Sequence, residues 1–460
     1  MKATNKNEYI SDLSIKMKNV CQIDKNLYRQ YNVKRGLRNP DHTGVLVGLT
    51  NIGDVVGYKK ENDQIIPIEG DLYYRGISIK DIVKGTQKDK RHGFDEVSYL
   101  LLTGEMPSMD KLKRFSTLIS RRRELPLAFR KNILNQGTGK NVMNVIARAV
   151  LELYSYDKNP EDRSEENIAR QTLDLLAKFP TIIAYSYNAI KHVHYKKTLS
   201  IRHPKKNLST AENFLYMLKG DKFTTLEADL LDLCLIIHAE HGGGNNSTFT
   251  VRVVSSAGTD SYSAISAAIS SLKGIYHGGA NLKVLEMMDN IKDNVKDKTD
   301  KDELADYLMK ILKKEVYDGF GKIYGFGHAV YTLSDPRCVL LRERARALAI
   351  EKDKLDEYEL YRAVEDLAPK VFGEFKGGKK NKILSANVDF YSGFVYSCIG
   401  IPKELFTPIF AMGRLPGWCA HRLEEANMTS KRIIRPAYKN VCEKQRYIPI
   451  TERNNMPNKN

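Results

Sequence analysis

Apolar residues recur at helical spacing along most of this 460-residue chain. In 226–237 and 284–295, apolar side chains stand three or four residues apart, so they would share one face of a helix. Thr224 and Glu227 have the spacing of a capping box and mark where the first of these helices begins. The spacing therefore predicts a mainly α fold.

Strand patterns are scarce and lie near the N-terminus. Residues 43–57 and 65–74 are rich in β-branched and turn-forming residues, so they predict a few short strands. The Ser/Ala-rich run 261–271 predicts a helix that packs closely against its neighbours, because small side chains let backbones approach each other.

Composition shifts along the chain and bounds the class of protein. With 42% hydrophobic residues, the chain can bury a large core, and its length fits an enzyme of two or three domains. Residues 291–315 and 350–382 are heavily charged, whereas 231–281 and 383–421 are rich in apolar and small residues. This pattern predicts a peripheral segment inserted into a central one.

Neither a membrane span nor an export signal is predicted. No apolar run reaches roughly 18 residues, and the N-terminal stretch lacks the apolar core of a secretory signal. Glu8, Asp12 and Asp24 argue against a mitochondrial transit peptide, so we expect a cytoplasmic protein. The six cysteines form no CxxC pair and are expected to be reduced core thiols. They are Cys21, Cys234, Cys338, Cys398, Cys419 and Cys442.

The net charge of +17 favours anionic partners, which include nucleic acid, anionic surfaces, nucleotides and dicarboxylates. A nucleic-acid-binding protein would carry a basic stripe with interleaved aromatic residues. Here the lysines and arginines are dispersed among 56 acidic residues, so we expect no nucleic-acid partner. Charge alone does not choose among the other ligands.

Five of the ten histidines lie in segments punctuated by glycine, where turns can present side chains into a cleft. These are His238, His241, His277, His328 and His421. On a helix continuing from Leu226, the first two would share one face, just before three glycines end the helix. They either act together on a ligand or are satisfied polar residues at a buried helix end.

Two other interpretations of this segment are weaker. The pair has helical ligand spacing, but the neighbouring Glu240 fits neither the H-E-x-x-H nor the H-x-x-E-H pattern, so we predict no metal site. The glycine run lacks the Gly-Lys-Ser/Thr of a phosphate-binding loop and follows a helix instead of a strand.

A candidate anion site lies at Asp335-Pro336-Arg337. Asp is a good N-cap and Pro suits the first helical position, which places Arg337 in the first turn of a helix. A helix N-terminus beside an arginine attracts anions, and His328 stands just upstream on a glycine-flanked turn. The alternative is an ordinary capped helix whose arginine faces solvent.

A candidate base is Asp389, which lies in an otherwise apolar stretch. Such an aspartate is usually a cap or turn former, but if buried it would have a raised pKa and could accept a proton. Arg414 and Arg435 stand beside Gly413 and Pro436, and each alone is more typical of a salt-bridge partner.

Seven segments, taken in chain order, resemble the motif series of the citrate synthase family. They are His238-Ala-Glu-His241-Gly, Gly274-Ile-Tyr-His277-Gly-Gly-Ala-Asn281, Gly325-Phe-Gly-His328-Ala-Val, Asp335-Pro-Arg337, Asn387-Val-Asp389-Phe-Tyr-Ser-Gly393, Gly413-Arg414 and Arg435-Pro. Upstream stretches at 72–76 and 94–104 extend the resemblance to about residues 40–440.

The resemblance implies condensation of acetyl-CoA with oxaloacetate, followed by hydrolysis of citryl-CoA to citrate and CoA. It implies that Asp389 is the base, that His277 donates a hydrogen bond to the enolate, and that His328 acts on the ketone. Oxaloacetate would be bound by arginines and by two further histidines, with one arginine contributed by the partner subunit of a homodimer. These residues are Arg337, Arg414, His241 and His238, and Arg435 from the partner.

The resemblance further places the CoA site around 322–327 and on a basic loop, 376–382. The residues implied are Lys322, Gly325, Gly327, Lys379, Lys380, Lys382 and Asn387. CoA is part of a substrate here, and no separate cofactor is implied.

The family's two-domain helical fold implies a large domain, a small mobile domain and an N-terminal extension. We expect these at 41–281 with 396–460, at 282–395, and at 1–40. Ala329 departs from the many bacterial members that have arginine there, so one CoA or substrate contact is in doubt. The close relative 2-methylcitrate synthase, which uses propionyl-CoA, remains an alternative.

Overall fold

The computed structural model describes residues 6–41, 43–62, 64–135, 139–377 and 384–455. It is built mainly of helices, as the apolar spacing predicted. In the first half these are α1 (Lys6–Val20), α2 (Lys25–Gln30), α3 (Ile79–Lys88), α4 (Phe94–Thr103), α5 (Met109–Arg121), α6 (Leu127–Asn135), α7 (Val142–Glu152), α8 (Glu165–Tyr195), α9 (Thr210–Lys219) and α10 (Thr225–His238). In the second half they are α11 (Asn246–Ser256), α12 (Ser261–Leu272), α13 (Ala280–Asn294), α14 (Lys301–Leu312), α15 (Pro336–Glu351), α16 (Leu355–Phe375), α17 (Val388–Ile399) and α18 (Phe406–Ala426). None of the described helices is long and apolar enough to cross a membrane.

A small antiparallel sheet precedes most of the helices. It has the order β1 (Gly53–Glu61), β2 (Gln64–Tyr74) and β3 (Ile77–Ser78). The predicted strand at 65–74 is confirmed, whereas the prediction for 43–57 is only partly right. Residues 45–52 form no strand, and Leu46 is 84% exposed. The reason is that β1 pairs with β2 only from Gly53 onward.

The sheet lies directly against the backbone of 330–334. At Gly57, a Cβ atom would come within 2.6 Å of the Val330 carbonyl oxygen, and at Gly70 it would collide with that of Ser334. The amide of Gly70 also donates to the Ser334 hydroxyl over 3.3 Å. These two glycines therefore let the sheet support the segment that follows His328.

Helix α18 forms the centre of one group of helices. It is buried from Phe406 to Arg422, with Trp418 fully buried, and it packs against α4, α8, α10, α11 and α12. The small-residue helix predicted at 261–271 is confirmed as α12, which packs on α7 and α11. Helices α13 to α17 form a second group, in which α14 packs on α16, and both α13 and α15 pack on α17.

Helix α10 begins as predicted but ends earlier than expected. Thr224 and Glu227 make both hydrogen bonds of the capping box. The helix stops at His238, so the prediction that His241 continues it is wrong. The physical reason is the buried Tyr74 hydroxyl, which donates to the Ile236 carbonyl over 2.9 Å and accepts from the Glu240 amide over 3.3 Å. These bonds satisfy backbone groups that a further helical turn would otherwise use.

The cysteines follow the prediction only in part. Cys234, Cys338, Cys398 and Cys419 are buried free thiols, as expected for the core. The prediction is wrong for Cys21 and Cys442, which are free but exposed, because the first follows an unpacked helix and the second lies in the extended segment after α18.

We expect Tyr74→Phe to destabilise the protein by about 1–3 kcal/mol, because the Ile236 carbonyl and the Glu240 amide lose a buried partner. The measurement is the midpoint of thermal unfolding. The matched control is Tyr58→Phe on β1, where the ring is 36% exposed and the expected change is within about 0.5 kcal/mol. Equal shifts for the two variants would contradict this role of the hydroxyl.

Candidate active site

Three of the five glycine-flanked histidines meet where α10 ends. The ring of His241 lies edge-on to that of His328, with 4.9 Å between centroids, and His328 stacks on Tyr331 at 4.6 Å. His238 is fully buried at the last position of α10. His241 and His328 are therefore in ring contact just after the buried His238, at the end of α10.

Arg414 connects this cluster to α18. Its Nε donates to the carbonyl of His238 over 2.5 Å, and its guanidinium lies 5.0 Å from the centroid of the Phe410 ring. Both terminal nitrogens are buried and have no partner among the described residues. Burial lowers the pKa of Arg414 to about 10. A buried guanidinium with two unpaired nitrogens is suited to bind a carboxylate.

Asp335 and Arg337 form a buried pair at the start of α15. The Asp335 carboxylate accepts from Nε and Nη2 of Arg337 over 3.0 and 2.8 Å, and it caps the helix through the Arg337 amide. It also accepts from the amide of Val388, the first residue of α17, over 3.1 Å. The alternative of a solvent-facing arginine is therefore wrong, since Arg337 is only 4% exposed.

The tautomer of His328 follows from its hydrogen bonds. Its Nδ1 accepts from the backbone amides of Val330 and Tyr331, each over 3.1 Å. Because amides only donate, the ring hydrogen is assigned to Nε2, where it is available to a ligand. Burial, reinforced by Arg337, lowers the pKa of His328 to about 4, so the ring is neutral near pH 7.

His277 is held by the first turn of α11. Its Nε2 accepts from the amide of Ser247 over 3.3 Å and lies 3.1 Å from the Ser247 hydroxyl oxygen, which also accepts from the indole of Trp418. The ring hydrogen is therefore assigned to Nδ1, on the opposite side. Burial, with a contribution from Arg414, lowers the pKa of His277 to about 4. This imidazole is a neutral donor.

Asp389 lies in the first turn of α17. Its amide donates to the side chain of Asn387, which caps the helix. Burial raises the pKa of Asp389 to about 6, although Arg337 and Arg414 act in the opposite direction. A carboxylate with such a pKa is ionised near pH 7 and more basic than an ordinary aspartate.

The cluster is electropositive and incompletely hydrogen-bonded. Burial and the two arginines hold the pKa values of His238 and His241 well below the ordinary value. Both ring nitrogens of His238 and Nε2 of His241 are buried without a partner among the described residues. Unpaired buried polar groups are rare, so a concentration of them indicates a place for a small polar anion.

The other predicted site residues are placed as follows. Arg435 is exposed in the segment after α18, outside any helix or strand. Lys322 is exposed, while Gly325 packs against Val284 and Phe390. Lys379, Lys380 and Lys382 lie outside the described residues.

Asn387 and Gly327 hold two segments together. The Asn387 side chain donates to the Gly327 carbonyl over 3.0 Å and accepts from the Asp389 amide over 3.0 Å. Its backbone amide donates to the Gly325 carbonyl over 2.8 Å. Both ends of the Asn387 amide group are therefore engaged inside the protein, joining the segment that precedes His328 to the start of α17.

Within the part of the chain that the structure describes, no group of three or more His, Cys, Asp or Glu side chains is arranged to bind a metal ion.

The sequence interpretation missed several residues that position the site. Ser247 sets the tautomer of His277, and Tyr331 stacks on His328. Asp335 was identified as a cap, but its bonds to Arg337 and Val388 were not foreseen. A local pattern signals only the cap, because the other bonds join residues that are distant in sequence or depend on side-chain packing.

Residues 41–437 match the family model described as citrate synthase, C-terminal domain. A citrate synthase of Deinococcus radiodurans is 36% identical over 386 residues, covering 84% of this chain and 93% of that protein. A 2-methylcitrate synthase of Shewanella oneidensis is 33% identical over 384 residues, covering 83% and 92%.

The fold is also similar to a solved structure from Thermoplasma acidophilum. That protein is a citrate synthase in a ternary complex with carboxymethyl coenzyme A and oxaloacetate. The TM-score is 0.74 at 25% identity, covering 91% of this chain and 99% of that chain.

We expect Asp389→Asn to be more stable than the wild type at pH 8 by roughly 1–3 kcal/mol, with a smaller difference at pH 5. The folded-state pKa of Asp389 is about 6, above the ordinary 3.8, so the wild type loses stability as pH rises from about 3.8 to about 6 and the loss is complete above that range. The measurement is the unfolding midpoint at both pH values. Asp306→Asn, on the exposed face of α14, is the control and should show no such pH-dependent gain.

Proposed function

The chain belongs to the citrate synthase family, and we propose that it condenses acetyl-CoA with oxaloacetate and that Asp389, His277 and His328 are its catalytic groups. The observation that carries this proposal is the combination of a carboxylate whose pKa is raised to about 6 with two neutral imidazoles, whose ring hydrogens lie on Nδ1 of His277 and on Nε2 of His328. A base and two donors are what the condensation of a weak carbon acid with a ketone requires.

In the first step, Asp389 removes a proton from the methyl group of the acetyl thioester. The electron pair of the broken C–H bond forms an enolate, whose oxygen receives a hydrogen bond from Nδ1 of His277. A neutral donor is effective because its hydrogen bond strengthens as negative charge develops on the enolate oxygen.

In the second step, the enolate carbon attacks the ketone of oxaloacetate, and the ketone oxygen takes up the electron pair. His328 stabilises or protonates this oxygen through Nε2–H. Arg337 and Arg414 bind the substrate carboxylates, with His238 and His241 as further polar contacts. Support comes from the two unpaired terminal nitrogens of Arg414. Water then hydrolyses the citryl thioester and releases CoA.

For the CoA moiety, we propose contacts at the exposed Lys322 and at the basic run of sequence containing Lys379, Lys380 and Lys382. Phosphate groups favour such a concentration of positive charge. Gly325, Gly327 and Asn387 would shape this region, since the bonds of Asn387 hold the two segments in contact. No cofactor beyond the substrates is proposed, and the unpaired thiols favour a reducing, cytoplasmic location.

We also propose two domains and an N-terminal extension of residues 1–40. The large domain comprises 41–281 and 396–460, and the small domain comprises 282–395. Support comes from the packing of α13 to α17 on one another. Closure of the small domain would exclude water from the site and bring Asp389 and His328 toward His277.

A homodimer would complete the substrate site. Arg435 is exposed on the extended segment after α18, which is consistent with a side chain that serves the partner subunit. We propose that this guanidinium binds an oxaloacetate carboxylate in the neighbouring active site.

A thiol-release assay tests the function. We expect turnover with oxaloacetate and acetyl-CoA, and a much lower rate for Asp389→Asn with oxaloacetate binding largely retained, since the base acts mainly in proton transfer. Wild-type kcat/KM should fall below about pH 6, where Asp389 becomes protonated. A near-normal rate in the variant would refute the assignment of the base.

The same assay with propionyl-CoA decides the length of the acyl chain. The similarity to a 2-methylcitrate synthase keeps this substrate under consideration. One extra methylene changes the transition-state free energy by only about 1–3 kcal/mol. A clear propionyl preference in kcat/KM would make 2-methylcitrate the main product.

The position of Arg435 is tested with hybrid dimers of Asp389→Asn and Arg435→Ala subunits. If Arg435 acts across the interface, one of the two sites has both native residues, and about half of the wild-type rate returns. If it acts within its own subunit, each site keeps one defect and the hybrid stays as impaired as its parents. Each variant alone is the control.

A further inference from the structure

One glycine-flanked histidine has no part in the proposed chemistry. His421, on α18, is fully buried together with Glu240, which lies between His238 and His241. Its Nε2 lies 3.0 Å from Oε1 of Glu240, and both side chains are 0% exposed. Such a buried histidine–carboxylate pair, which joins α18 to the turn that carries His238 and His241, calls for an explanation.

The tautomer of His421 is determined by Arg252 on α11. The Nε of Arg252 donates to Nδ1 of His421 over 3.0 Å. A guanidinium only donates, so Nδ1 accepts and the ring hydrogen is assigned to Nε2, from which it is donated to Glu240. The imidazole thus accepts a hydrogen bond from the Arg252 guanidinium and donates one to the Glu240 carboxylate.

Two carboxylates of α18 hold Arg252 in this orientation. Its Nη2 pairs with Glu424, and its Nη1 pairs with Glu425 over 3.1 Å. Glu424 in turn accepts from the amide of Asn51, just before β1, over 2.8 Å. The chain of bonds therefore joins α11, α18 and the start of the sheet to the turn after α10. Glu424 and Glu425 lie at the end of α18, shortly before the segment that carries Arg435.

Glu240 links these bonds to the protein groups that are proposed to bind oxaloacetate. Its Oε1 accepts from the amide of Gly242 over 2.5 Å, which shapes the turn around His241. Its Oε2 lies against Gly417, where any Cβ atom would collide with it. Burial alone would raise the pKa of Glu240, but His421, Arg414 and the Gly242 amide outweigh burial and lower it. The ionised carboxylate is thus a buried counter-charge for Arg414.

We propose that His421 is a positioning residue for oxaloacetate binding, which acts by holding Glu240 so that the His238–His241 turn and Arg414 keep the geometry the substrate needs. The inference rests on the proposed function and deepens it. His421 touches neither the substrate nor the reacting atoms in this proposal, and its effect is transmitted through Glu240.

The test compares His421→Leu with His421→Gln. Leucine is apolar and releases Glu240, so the Kd and KM for oxaloacetate should rise at least about tenfold, while KM for acetyl-CoA changes less than about twofold. Glutamine carries a donor and an acceptor separated by one carbon atom, as the imidazole does, and should restore most of the affinity. Kd is measured by calorimetry and KM by thiol release.

The matched control is His92→Leu. His92 also pairs with a carboxylate, that of Asp229 near the opposite end of α10, over 3.1 Å from Nε2, but this pair is partly exposed. This variant should lose stability but keep the oxaloacetate KM. An unchanged Kd in His421→Leu, or an equal rise in His92→Leu, would overturn the inference.

A second variant covers the case in which His421→Leu does not fold. Arg252→Met removes the donor to Nδ1 from α11 while leaving α18 unaltered, and it should raise the oxaloacetate Kd by a smaller factor in the same direction. An unchanged Kd there would count against the inference. Wild-type turnover is read separately: if the wild type neither binds oxaloacetate nor releases thiol, the proposed function fails and the inference falls with it.

Discussion

The carboxylate of Asp335 is the contact on which the site depends most. One side chain caps α15, pairs with Arg337 and accepts the first amide of α17, one residue before Asp389. The distance between Arg337, which is proposed to bind a carboxylate, and the candidate base is therefore set by a single buried group. Buried pairs of this kind are costly to break, because the remaining partner is left as an unpaired charge.

Around this contact, the protein separates charge from hydrogen-bond donation. Arg337 and Arg414 supply fixed positive charge, while burial keeps His277 and His328 neutral by lowering the pKa of each to about 4. A protonated imidazole beside two guanidiniums would be unfavourable, so the arginines help to hold the histidines in the form that donates without carrying charge. The same burial raises the pKa of Asp389.

Much of this could be predicted from local patterns. The helical spacing gave the fold class and the capping box of α10, and the Asp-Pro-Arg sequence predicted both the N-cap and an arginine in the first turn. What could not be predicted were bonds between distant residues. The Tyr74 hydroxyl, 162 residues from Ile236, ends α10, and nothing in the sequence of 236–241 indicates that this bond forms. The tautomers of His277 and His328 likewise depend on backbone amides whose positions only the folded chain defines.

The close approach of the sheet to 330–334 has a consequence for how this protein tolerates change. At Gly57 and Gly70, any side chain would strike a backbone oxygen of the segment that supplies the amides bonded to His328 or leads to Asp335. A random-mutagenesis screen for lost activity would therefore recover substitutions in the sheet as well as in the cleft. Such mutants would keep the proposed catalytic side chains intact, and their defect would lie in where the backbone holds these side chains.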